Sequence, residues 1–206
     1  MKQITGYAVL VLLALTHTGC DEQGIKGSGV GSSETRKVGD FHAVSLRGSM
    51  DIEYTDGPAE DVVIEAEDNI LPLIITEVKD GQLIVREKDH FHLNLHKKIR
   101  VKVTAPDVEE LSLAGSGTIR VMNDWEQDDH IKLSLTGSGD VIGAVDAPQV
   151  SVAVTGSGNV KLKGETKDLD VDIAGSGSFE GYDLRSENTN VHVGGSGDAQ
   201  VHASVK

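Results

Sequence analysis

The chain has 206 residues, with 19 Lys and Arg against 33 Asp and Glu, a formal net charge of −14. An acidity of that size repels phosphate backbones and sets nucleic acid aside as a partner. One Trp, three Tyr and three Phe leave a core to Val, Leu and Ile, a single cysteine excludes an internal disulfide, and the 24 glycines exceed the usual share of about 7%.

Residues 1–20 read as an export signal of lipoprotein type. Met1-Lys2 precedes a largely apolar run from Ile4 to Leu15, too short to span a bilayer, and the segment ends Thr18-Gly19-Cys20. That ending resembles a bacterial lipoprotein box, with His17 where an aliphatic residue is usual, and it makes Cys20 the expected lipidation site and the membrane anchor of an exported protein. Asp21 directly after it resembles an inner-membrane retention signal, and inner and outer membrane both stay open. Residues 21–37 are polar and rich in Gly and Ser, which predicts a flexible tether. Gly27-Ser28-Gly29 lies within it and lacks flanking apolar alternation, so it reads as linker.

Residues 38–206 are expected to form a single domain, irregular over 38–110 and repetitive over 111–206. Phe41 to Ile52 reads as a degenerate first copy of the later repeat, with Met50 in place of a glycine. A turn at Asp56-Gly57-Pro58, a strand from Val62 to Ala66 and a helical turn limited by Pro72 follow. Asp80-Gly81 between the apolar runs Ile74 to Val78 and Leu83 to Val85 predicts a hairpin, and a strand from Ile99 to Val103 ends at Pro106. This segment is expected to cap the first coil of the repetitive part.

From Leu111 onward one phrase recurs five times: an apolar pair at alternating positions, then Gly-Ser-Gly. The triplets are Gly115-Ser116-Gly117, Gly137-Ser138-Gly139, Gly156-Ser157-Gly158, Gly175-Ser176-Gly177 and Gly195-Ser196-Gly197. Apolar residues two apart face one side of a strand, and glycine turns the chain where a β-carbon would clash. A period of 19 to 22 residues therefore predicts a parallel β-solenoid, with one coil per repeat and successive strands about 4.8 Å apart. Its core would be columns: Leu111, Leu133, Val152, Val171, Val191; Leu113, Leu135, Val154, Ile173, Val193; and, past the corner, Ile119, Val141, Val160, Phe179, Ala199. The serines would form a ladder at the corner. Asn123 to His130, which lengthens the first spacing, is expected to protrude as a loop. Val201 to Val205 carries no separate cap, so this edge is a candidate surface for self-association, or one protected by Lys206.

The chemistry such residues suggest is sparse. The serines lie directly between glycines, whereas a nucleophile elbow needs G-x-S-x-G, and no base is paired with any of them. Asp140, Asn159 and Asp198 follow triplets, but calcium β-rolls repeat every nine residues with a different spacing, so these read as turn residues. His90, His92 and His96 share one face of a predicted strand, at a spacing of about 7 Å between neighbours. They are the nearest approach to a metal set, and a plain polar outer face is the preferred reading. No cofactor motif is present.

The serial Φ-x-Φ-x-GSG pattern, with the Phe41 to Ile52 strand, the Asp80-Gly81-Gln82-Leu83 hairpin and the Pro106 turn, resembles the bacterial family called "putative autotransporter adhesin, head GIN domain", over about Val38 to Val205. The resemblance implies a right-handed parallel β-helix in an envelope setting and carries no catalytic residues. The function expected is that of a non-enzymatic, lipid-anchored binding or structural module of the cell envelope, with a glycan or protein ligand. A self-assembling scaffold and a carbohydrate-active β-helix enzyme are the rival classes.

Overall fold

A computed structural model of the chain describes residues 23–89 and 91–203. The export signal, Cys20, His90 and Lys206 lie outside the described residues. Strands dominate in chain order: β1 Gln23–Lys26, β2 Gly31–Arg36, β3 Ala43–Gly48, β4 Asp51–Asp56 and β5 Val62–Glu67, then a single 3-10 turn at Leu71–Leu73. The chain continues through β6 Ile74–Lys79, β7 Gln82–Glu87, β8 Phe91–Asn94 and β9 Arg100–Ala105. The repetitive part follows as β10 Glu110–Gly115, β11 Thr118–Glu126, β12 His130–Gly137, β13 Asp140–Gly156, β14 Asn159–Gly175, β15 Ser178–Gly195 and β16 Asp198–Ala203.

These strands stack in parallel as a β-solenoid with two arms joined at the Gly-Ser-Gly corner. Before the corner, β3, β10 and β12 pair in register with the C-terminal halves of β13, β14 and β15. Past it, β4 and β11 stack with the N-terminal halves of β13, β14 and β15, and then with β16. Gly48, Gly115, Gly137, Gly156, Gly175 and Gly195 fall in one register column. Gly156 has φ +116°, and a Cβ on it would stand 2.5 Å from the Gly137 carbonyl oxygen. One on Gly158 would meet Leu135 Cδ2 at 2.7 Å, so the two glycines of the triplet answer to backbone conformation and to close approach respectively. Each triplet serine donates its backbone N–H to a glycine carbonyl of the preceding coil, at 2.8 to 3.1 Å.

The interior is the columns the repeat predicts. Leu111, Leu133, Val152 and Val171 are buried, as are Leu113, Leu135, Val154 and Ile173 and, past the corner, Ile119, Val141, Val160 and Phe179. Burying each such side chain is worth roughly 1.5–3 kcal/mol. The last described coil departs from the pattern, since Val191 and Val193 are each 37% exposed and no further strand covers them among the described residues.

The N-terminal part caps the stack, but not in sequence order. β3 and β4, the degenerate copy, lie inside the solenoid, with Val44 and Leu46 opposite Leu111 and Leu113 and Met50 buried. The chain then runs outward, lays β7 and β9 beyond them as the first coil, and returns to β10. Antiparallel strands close this end: β6 on β7, β5 on β9 and β2 on β5.

Two expectations are corrected. The tether expected over 21–37 is, from Gln23 to Arg36, two strands: β1 pairs with β8 and β2 with β5. Some of its polar groups bond to the fold. Arg36 donates to the carbonyls of Leu71 (2.9 Å) and Ile74 (2.6 Å), and Asn69 Oδ1 accepts the Ser28 N–H at 2.9 Å. The loop expected to protrude over Asn123 to His130 instead begins as the end of β11. Trp125 is buried, its Nε1–H donates to the Val108 carbonyl at 2.7 Å, and its ring meets Tyr54 edge-on at 5.7 Å.

Candidate functional site

The residues singled out in the sequence divide cleanly. Ser116, Ser138, Ser157, Ser176 and Ser196 all face solvent at the corner, aligned by the backbone and not by their hydroxyls. Asp140 and Asn159 join a ladder across coils: Asn159 Nδ2 donates to Asp140 Oδ1 at 3.0 Å, and Ser178 Oγ donates to Asn159 Oδ1 at 2.7 Å. His92 and His96 lie on the exposed face of the β8 segment while Phe91, Leu93 and Leu95 turn inward. Among the described residues no group of three or more His, Cys, Asp or Glu is placed to hold a metal ion.

His96 turns instead to Glu67, a carboxylate that sequence reading passed over. Glu67 ends β5 fully buried, with His96 Nδ1 3.5 Å from its Oε2. Burial by itself pushes such a carboxyl up. The backbone N–H of Gly29 and those of His96 (2.7 Å) and Lys97 (3.0 Å) outweigh that and hold it down at about 2. A Cβ on Gly27 would collide with this carboxylate. The early Gly-Ser-Gly is therefore a seat for Glu67, and the group is structural.

A different region is shaped to receive a ligand: the outer face of the second arm. In β11 the register against β13 slips, so Val121, Met122 and Asn123 stand opposite Gly143 alone. In β15 it slips again against β14, between the Lys161–Glu180 and Lys163–Asp183 pairs, which ejects Tyr182. Bulges re-aim side chains, and here Met122 is 52% and Tyr182 69% exposed. Between them runs a groove of about 320 Å³ with Ile142, Gly143 and Ala144 along it. Gly143 permits the first bulge, because a Cβ there would stand 2.8 Å from Val121.

The groove is edged by charges of both signs, Arg120, Lys161 and Lys163 with Asp124 and Asp183. Arg120 and Lys163 take no ion-pair partner among the described residues, whereas Lys161 pairs with Glu180 at 3.0 Å, which holds its ammonium above the ordinary lysine range. Tyr182 stacks on His202 with ring centroids 5.6 Å apart and planes 21° apart, a flat aromatic surface next in sequence to Asp183 of the groove lining. The signal missed in the sequence is the pair Gly143 and Gly181, lone glycines inside strands and outside any triplet. A second recess, of about 690 Å³, lies at the other corner and gathers Asp107, Glu109, Glu126, Asp128 and Asp129 around His130.

The family described as "Putative auto-transporter adhesin, head GIN domain" matches residues 40–206. The chain belongs to this family. Solved structures show the same fold as this head GIN chain. A "putative lipid binding protein" from Parabacteroides distasonis ATCC 8503 is 20% identical with TM-score 0.75, over 88% of this chain and 86% of that one. A "putative adhesin" from the same organism is 24% identical with TM-score 0.70, over 88% and 85%. A "putative adhesin" from Parabacteroides merdae ATCC 43184 is 20% identical with TM-score 0.70, over 88% and 85%. No curated protein matches the chain.

Proposed function

We propose that this head GIN chain is a non-enzymatic binding module of the cell envelope, exported, held at a membrane by lipid on Cys20, with its ligand in the groove between the two bulges. The observation that carries the reading is the coincidence of those bulges with Arg120 and Lys163, two cations without ion-pair partners among the described residues, on a molecule of net charge −14. An acidic polysaccharide has the matching chemistry. Its carboxylates meet Arg120 and Lys163, and the C–H faces of its rings lie on Met122, Gly143 and the Tyr182 ring. The family and the adhesin names of its structural relatives agree with a role in binding.

The test is binding of polygalacturonate and hyaluronan, with neutral dextran as control, to the chain and to Arg120→Ala, Lys163→Ala and Tyr182→Ala. Each substitution is expected to weaken acidic-polysaccharide binding about tenfold with thermal unfolding unchanged. Affinity unaltered in all three variants overturns the groove as the site. The carbohydrate-active reading rests on the carboxylate recess around His130. Cleavage of the same polysaccharides that survives the groove variants and disappears in Glu126→Gln or Asp129→Asn would replace binding by catalysis.

A further inference from the structure

We propose that two copies of the chain join end to end about a twofold axis, through the last described coil, residues 188–203. Three observations carry this, none of which depends on the ligand of the groove.

The first is an open core. Val191 and Val193 continue columns whose previous members, Val171 and Ile173, are 1% exposed, yet each is 37% exposed. Among the described residues, β16 and the C-terminal half of β15 pair on one side only, so a row of backbone N–H and C=O groups faces outward beside those valines. An open strand edge over an apolar interior is a template for another strand.

The second is the loss of charge from that coil alone. Along the register, Asp168, Asp170 and Asp172 are followed by Asn188, Asn190 and His192, Glu180 by Gln200, and Arg185 by His202. Toward the stack, two of the replacements bond inward: Asn188 Nδ2 donates to Asp168 Oδ1 (2.6 Å) and Asn190 Nδ2 to Asp170 Oδ1 (3.1 Å). Within residues 188–203 there is no Lys, Arg, Glu or Pro, and Asp198 is the only formal charge. Two molecules of net charge −14 repel least where they meet through their one nearly uncharged coil.

The third is that the opposite end is defended. Its outermost strands carry Glu77 and Lys79 on β6 and Glu34 and Arg36 on β2, with Arg36 bonded to Glu34 and Arg86 to Glu77. Head-to-tail stacking would set the nearly uncharged coil against that charged cap. Like pairing with like puts the two open coils together as antiparallel strands and closes after two copies. The bulges of the second arm lie on the lateral face, so a dimer presents two grooves at once, and two modest binding events combine through avidity.

The test is light scattering on the full chain in detergent over a range of concentrations. A mass that rises from one copy to two and stops is expected. Val193→Lys, which puts a charge in the open column, is expected to weaken self-association at least about tenfold. Because that substitution also touches the core, the pair His192→Lys with Gln200→Lys gives a second reading, adding edge charges outside the apolar columns. It is expected to leave the thermal unfolding of the monomer unchanged while lowering dimer formation by a similar factor. A wild-type chain monomeric at every concentration, a dimer indifferent to both sets of variants, or growth past two copies overturns the proposal.

Discussion

Glu67 shows how much of this fold depends on one side chain. Its carboxylate gathers N–H groups from the Gly29 turn and from His96 and Lys97, two stretches of chain distant from it in sequence. Its folded pKa of about 2 lies below the ordinary 4.5, so the native state favours the ionised form. Its contribution to stability is present in full above about pH 4.5 and is lost as pH falls from there toward 2. Glu67→Gln is expected to lower the melting temperature by several degrees at pH 7. The gap to wild type is expected to narrow progressively below pH 4.5, as read by thermal unfolding at a series of pH values. A gap constant across that range would show that the charge contributes nothing. Nothing around Glu67 in the sequence marks it out, because its partners are mostly backbone groups, which carry no residue code, and its one side-chain partner, His96, lies 29 residues away.

At the scale of elements, composition misleads where a polar segment finds fixed partners. Residues 23–36 have the Gly and Ser content of a tether, yet β1 and β2 close the capped end and Arg36 fastens it to Leu71 and Ile74. Removing residues 23–36 is expected to lower the melting temperature of the domain by about 10 °C and to increase binding of a hydrophobic dye, since β5 loses its outer partner and Glu67 part of its hydrogen bonding. Unchanged melting in the chain begun at Val38 would return this segment to the role of linker. The core strands, by contrast, were legible. Leu133 and Leu135, or Val152 and Val154, alternate with polar residues, and that period of two translates directly into burial. The two bulges were not, because a register slip is a relation between neighbouring strands that only the lone glycines Gly143 and Gly181 hint at.

The whole molecule has two unlike ends and a lateral face. The antiparallel cap with its charged edges closes one end, the nearly uncharged coil 188–203 leaves the other open among the described residues, and the groove lies between them. A lipid on Cys20 would place the charged cap nearest the membrane, since β1 begins three residues after the anchor. Cys20→Ser is expected to abolish palmitate incorporation and to move the chain from the membrane fraction to the soluble one. An unlabelled wild-type chain would remove the anchor from the account.

Read alone, the amino-acid order determined that this is a parallel β-solenoid, because an alternation of two and a glycine corner every 19 to 22 residues are local rules that each coil obeys separately. The degenerate copy at Phe41 to Ile52 was visible for the same reason. Only the tertiary structure decided that this copy lies inside the stack, that Gln23 to Arg36 is part of the cap, and that the register slips which eject Met122 and Tyr182 open a groove. Those outcomes are set by pairings between residues far apart in the chain, where the competing arrangements differ in register and partner and not in composition.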